Sequence, residues 1–487
     1  MWGNPRGTVY SLRFGVRVNR SPTPKSRRIG SAPIARLLIK NATVVTMDER
    51  RRIVTDAAIV VQDHSIAEIG KTRQFEYGTY DETFDALGMV ALPGLIDTHA
   101  HADQALLRGL GDQCHWIPFL DDIIDPWLTH RDPADGVLAN TLAMVEMLRS
   151  GTTCFVSPNV DPRDDYEALT MAVDRVGIRA VLGRFCIAGG ESESEAYKRV
   201  DAARDVMSRW HGSADGRLSV WFGLDVPRRA GDKDYPHFYQ AVGRAARDLA
   251  TGIVYHFCSE FEDAVYIQNH YGKRPAEWSR DNHALGDNVL LINGCQMTPL
   301  EIRILAETGS HLAHSPVANM KMATGILPLP DVLAAGVNVS LGTDGALNNN
   351  GYDLFAEMKA ACLLQNATRR SASALTAHQA LELATLSGAR ALGRKDLGSL
   401  EPGKRADIVL VNLSTPALLP VHDLISNLVF CNGGANVDTV FVDGRKVLAG
   451  GRVCGIDEEA LGRAVQRRAD AIREQMHFNV REPWPVE

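Results

Sequence analysis

From Ala35 the chain runs through short apolar, β-branched stretches separated by polar or glycine-bearing turns, and the same texture returns near its far end. Residues 37–46, 57–61 and 65–70 read as strands, and residues 406–411, 437–447 and 450–453 read as their counterparts. The two ends are therefore expected to form one small β-sandwich with a central domain inserted through it. In that centre, strand-like runs at 151–156, 179–184, 218–224, 253–258, 289–293, 311–314 and 337–341 alternate with helical stretches such as 135–150, 164–176 and 236–251. The apolar run that ends at Asp97 makes an eighth strand. Repeated βα units predict an α/β fold, a (β/α)8 TIM barrel whose chemistry lies at the C-terminal ends of its strands.

The expected organisation is a basic tail over 1–34, sandwich over 35–90, barrel over 91–397, sandwich again over 398–455 and a helical segment over 456–487. At 487 residues the chain is long enough for a large barrel and an accessory domain. A net charge of −7 offers no broad basic field, which argues against nucleic acid as a partner. No apolar run reaches the roughly 18–20 residues that span a bilayer, so no membrane association is expected. Eight cysteines without a Cys-x-x-Cys pair fit a reducing cytoplasm better than a disulfide scaffold. The first 36 residues carry eight Lys and Arg and no Asp or Glu. That composition fits an organelle transit peptide or, the reading favoured here, a disordered basic tail.

Two features carry chemistry. In Pro93-Gly-Leu-Ile-Asp-Thr-His99-Ala-His101, two imidazoles stand two residues apart just after an apolar run, so extended backbone turns both to one side and lets them share one ion. Far downstream, the apolar run 337–341 delivers the carboxylate of Asp344 at its C-terminal end. A metal-dependent hydrolase is the expectation.

These strings, with Ser150-Gly-Thr-Thr, His314-Ser-Pro-Val-Ala-Asn-Met-Lys-Met-Ala-Thr-Gly and Gly398-Ser-Leu-Glu-Pro-Gly-Lys-Arg-Ala-Asp-Ile-Val, resemble the amidohydrolase superfamily from about Ala35 to Gly451. The branch is that of the S-adenosylhomocysteine, guanine and cytosine deaminases and the s-triazine chlorohydrolases, with possible kinship to phenylurea and thiocarbamate hydrolases. The resemblance implies one divalent ion per subunit, zinc first with iron or cobalt as alternatives. It would be held by His99, His101, His256 and Asp344, with a possible contribution from Asn293. It also implies Glu260 and Asp344 as the catalytic groups, a small-molecule substrate, and a homodimer or larger homo-oligomer. His314, Gln296 and Trp116 fall at positions expected to contact substrate.

Two departures qualify it. Relatives place the catalytic glutamate three residues after the fifth-strand histidine, whereas His256 and Glu260 are four apart. A regular strand would still turn both inward, and a local bulge would also reconcile them. On the sixth strand, Asn293 and Gln296 stand where relatives carry histidines, and an amide cannot accept a proton near neutral pH. Some relatives that hydrolyse phenylureas or thiocarbamates are also altered at metal positions, so the resemblance then implies cleavage of a C–N bond in an N-substituted urea, amide or carbamate. Deamination of a purine, pyrimidine or triazine ring is the alternative, and a catalytically silent binding protein is a third reading.

Overall fold

The computed structural model describes residues 36–188, 192–224, 226–227 and 235–478, so the expected basic tail lies outside the described residues. The two ends of this stretch share one nine-stranded mixed sheet. Its first part comprises β1 (Arg36–Val45), β2 (Ile53–Gln62), β3 (Ser65–Lys71), β4 (Glu82–Asp85) and β5 (Met89–Pro93). After the barrel strands β6 to β13, given below, come β14 (Ile408–Asn412), β15 (Val437–Val442), β16 (Arg445–Ala449) and β17 (Arg452–Val453). The join is β5 against β14, antiparallel in the register Ala91 to Leu410. Alternate residues of both parts, among them Ile39, Ile59, Ala91, Ile408 and Phe441, fill one separate apolar core. This is the sandwich through which the centre is inserted.

The eight expected barrel strands are all present and pair in chain order, each parallel to the next. They are β6 (Leu95–Asp97), β7 (Thr152–Val160), β8 (Arg179–Cys186), β9 (Leu218–Leu224), β10 (Ile253–Phe257), β11 (Val289–Asn293), β12 (His311–His314) and β13 (Val339–Leu341). Past the strand ends the seam between β13 and β6 is bridged: Thr98 N–H donates to the Leu341 carbonyl at 3.0 Å, and the Thr98 and Ser340 hydroxyls lie 2.8 Å apart. Alternation sends Ile96, Val156, Val181, Val254, Ile292 and Ala313 to the barrel interior. Their neighbours Phe155, Leu182, Tyr255, Leu291 and Leu312 pack outward under the helices. Both faces are buried, which is why these strands read as continuous apolar runs.

One run divides differently from its expected reading. The apolar stretch before His99 is two strands, β5 in the sandwich and β6 in the barrel, parted at Gly94, whose N–H bonds the Asp407 carbonyl at 2.9 Å. A second tie is buried: the Arg179 guanidinium at the start of β8 binds Asp407 (2.6 Å) and Asp443 of the sandwich. Leaving either carboxylate without that cation would strand a buried charge. Among the described residues no helix is long and apolar enough to cross a membrane.

Candidate active site

His99 and His101 lie just beyond β6, where extended backbone continues between β7 and the segment after β13. Ala100 N–H donates to Val156 O at 2.8 Å on one side. On the other, Asp344 N–H donates to His99 O at 2.7 Å and His101 N–H to Asp344 O at 3.3 Å. The approach is close: a Cβ on Gly342 would stand 2.5 Å from the His99 Cβ and 2.8 Å from its nitrogen. Glycine is therefore what lets the last barrel strand come alongside the first.

Four side chains converge from this frame. The Nε2 atoms of His101 and His256 are 3.2 Å apart, and Asp344 Oδ1 lies 3.6 Å from His99 Nε2 and 3.7 Å from His101 Nε2. The three imidazoles offer ligand atoms within 4.8 Å of one another. His99 is oriented from behind, its Nδ1 3.0 Å from the Ser315 hydroxyl, which leaves Nε2 facing inward, buried and without a hydrogen-bond partner among the described residues. Burial lowers the His99 pKa to about 3, so the ring is a neutral electron-pair donor. Burial raises the Asp344 pKa, partly opposed by His101 and by hydrogen bonds from Asn348 and the Gly345 N–H. A cation between them would satisfy the His99 nitrogen, which no described group does, together with the nitrogens of His101 and His256. The donor set of three nitrogens and a carboxylate oxygen suits zinc.

His256 comes from β10, which ends at Phe257. Of the two expected readings, the regular strand through Glu260 does not form, and a local irregularity after Phe257 takes its place. Cys258 adopts a left-handed conformation (φ 46°) and sends its thiol toward Glu301, 3.5 Å away, instead of sharing a face with His256. That turn takes up the extra residue, and Glu260 reaches the cavity from the position preceding the helix Phe261–Tyr271. Asn293, also left-handed (φ 78°), lines the same cavity. Its Oδ1 accepts from Asn319 Nδ2 and its Nδ2 donates to Ser259 Oγ, each at 3.1 Å.

The other expected contacts lie elsewhere. Gln296 is absent from the cavity lining and donates from Nε2 to the Thr324 carbonyl at 2.7 Å. His314 is fully buried, and alternation sets it on the face opposite Ala313, which points into the barrel. Trp116 opens the short segment Trp116–Pro118, but its side chain lies outside the described residues. Phe119, Leu120 and Ile124 from the following turns supply the apolar wall, while Trp127 is buried in the core.

The amidohydrolase family pattern matches residues 90–447. The chain belongs to the amidohydrolase family. It is 37% identical over 452 residues to a 5-methylthioadenosine/S-adenosylhomocysteine deaminase of Desulforudis audaxviator, covering 91% of this chain and all of that one. It is 34% identical over 440 residues to a 5'-deoxyadenosine deaminase of Methanosarcina mazei, covering 90% and 99%. A zinc-bound adenosine deaminase structure from Xanthomonas campestris superposes with a TM-score of 0.83 at 29% identity, covering 90% and 98%. A zinc-bound atrazine chlorohydrolase from Arthrobacter aurescens gives 0.81 at 25%, covering 89% and 100%.

This amidohydrolase is a metal-dependent hydrolase with a site for a single divalent ion, for which zinc fits. Sequence reasoning missed several groups that support the site. Asp97 accepts from the N–H groups of His99 and Thr343, both at 3.1 Å, and from the Thr343 hydroxyl, so it ties the two metal-facing segments together. Tyr352 Oη donates to the His101 carbonyl at 2.9 Å. Ser315 and Asn319 follow His314 in the string that carried the resemblance, yet no spacing rule marks a contact between residues 216 positions apart, as Ser315 and His99 are.

Proposed function

We propose that this enzyme deaminates the adenine ring of a nucleoside: water adds at the carbon bearing the amino group, the C–N bond breaks, and ammonia and a 6-oxopurine leave. The observation that carries the reading is the convergence of His99, His101, His256 and Asp344 beside Glu260 in a chain that matches nucleoside deaminases over nearly their whole length. A divalent ion in that set supplies Lewis acidity and brings the ionisation of a water toward neutrality. The three imidazoles hold it as neutral ligands. Asp344 orients the nucleophile and takes its proton, as the carboxylate that lies beside both His99 and His101. Glu260 gives a proton to ring nitrogen N1 and then serves the departing amine. Asn293 cannot take part in proton transfer, so both transfers rest on the two carboxylates.

This reading displaces the expected urea, amide or carbamate substrate. That expectation rested on the sixth-strand departure, whereas the relatives at 34–37% identity, matched over about nine-tenths of the chain, are named as nucleoside deaminases. The test is a panel of 5'-deoxyadenosine, 5-methylthioadenosine and S-adenosylhomocysteine against phenylureas and carbamates, followed by ammonia release and loss of adenine absorbance. Ammonia from at least one nucleoside and no amine from the ureas is the expected result. Amine release from a urea or carbamate with no ammonia from any nucleoside would reverse it.

A further inference from the structure

Asn319, Asn293 and Ser259 form a directed chain in the cavity wall, the first donating to the second and the second to the third, each at 3.1 Å. All three are buried and line the cavity with His256, Glu260 and Asp344. Direction decides what the chain offers. Asn319 spends one N–H on Asn293, and its carbonyl oxygen is left at the head of the chain, buried and with no hydrogen-bond partner among the described residues. A buried acceptor without a partner is unfavourable, so a ligand that brings a donor to it gains selectively. The Asn319 nitrogen keeps its second N–H, because a carboxamide has two. The side chain thus offers an acceptor and a donor side by side. The complementary edge is an amino N–H next to a ring nitrogen, the edge that an asparagine reads on adenine.

We infer that Asn319, pinned by Asn293, reads the amino group and the adjacent N7 of a 6-aminopurine. The inference rests on the deaminase reading, in which Glu260 serves the N1 side and leaves the N7 edge for this amide. It also gives the amide a part in turnover. The product presents a carbonyl where the substrate had an amine, so the Asn319 oxygen faces a lone pair and the product is held less tightly.

The test compares an adenine nucleoside with its 7-deaza analogue, in which a C–H replaces N7, on the zinc-loaded wild type and on Asn319→Leu. Removing the amide should lower kcat/KM on the parent nucleoside roughly 10- to 100-fold. The loss on the 7-deaza analogue should be several-fold smaller, so that the preference for the parent shrinks. Should Asn319→Leu fail to fold, Asn319→Ser carries the same comparison. Equal fold losses on the two nucleosides would overturn the inference while leaving the deaminase reading intact. A wild type that releases ammonia from neither nucleoside would overturn both.

Discussion

His314 closes β12 with neither ring nitrogen hydrogen-bonded among the described residues, and burial lowers its pKa from 6.5 to about 3. Between those values the unfolded chain binds a proton that the folded chain refuses, so stability rises with pH through this window and falls on acidification. The slope for one such group is about 1.4 kcal/mol per pH unit. His314→Gln, which cannot titrate, is expected to flatten the pH dependence of the unfolding free energy between about pH 4 and 6 by up to one proton. Denaturant titrations at several pH values read this directly, and an unchanged slope contradicts the burial argument. At this scale the sequence exposed His99, His101 and Asp344 well, because spacing and strand ends carry the signal. It exposed Asn319, Ser315 and the fastening of Gln296 poorly, because their hydrogen bonds join segments that no local pattern relates.

The barrel was legible element by element because its strands are apolar on both faces and turn residues bound them. The break at Gly94 was hidden for the same reason: the residues on either side are equally apolar, although one strand belongs to the sandwich and the other to the barrel. The irregularity between His256 and Glu260 was offered by their spacing, but its place at Cys258 was not, since a cysteine does not advertise a left-handed backbone as glycine does. The contact of the first and last barrel strands gives a prediction of its own. Gly342→Ala would force a Cβ against His99 atoms at 2.5 to 2.9 Å, two of them backbone. The expected cost is about 1–3 kcal/mol of stability, the range typical of overpacking. Zinc affinity should fall as His99 moves away from Asp344. A wild-type melting temperature and zinc affinity in Gly342→Ala would show that the segments do not need this approach.

The insertion of a barrel through a sandwich made from both ends fixes how the site is assembled. The chain leaves the sandwich at β5, enters the barrel at β6 and within a few residues presents His99 and His101. It returns through β14, which pairs with β5, while Arg179 ties the base of the barrel to Asp407 and Asp443. His256 and Asp344 arrive from strands distant in sequence, and closure of the barrel brings them to the first pair. Zinc-bound relatives share this architecture along nearly the whole chain. On the proposed mechanism, four side chains hold one ion on which the release of ammonia depends. The most direct test strips the protein of metal, returns zinc in measured steps and follows ammonia release from 5'-deoxyadenosine against zinc bound per chain. Activity should rise from background and level off at one zinc per chain, and ammonia release by the metal-free protein at the full rate would contradict the account.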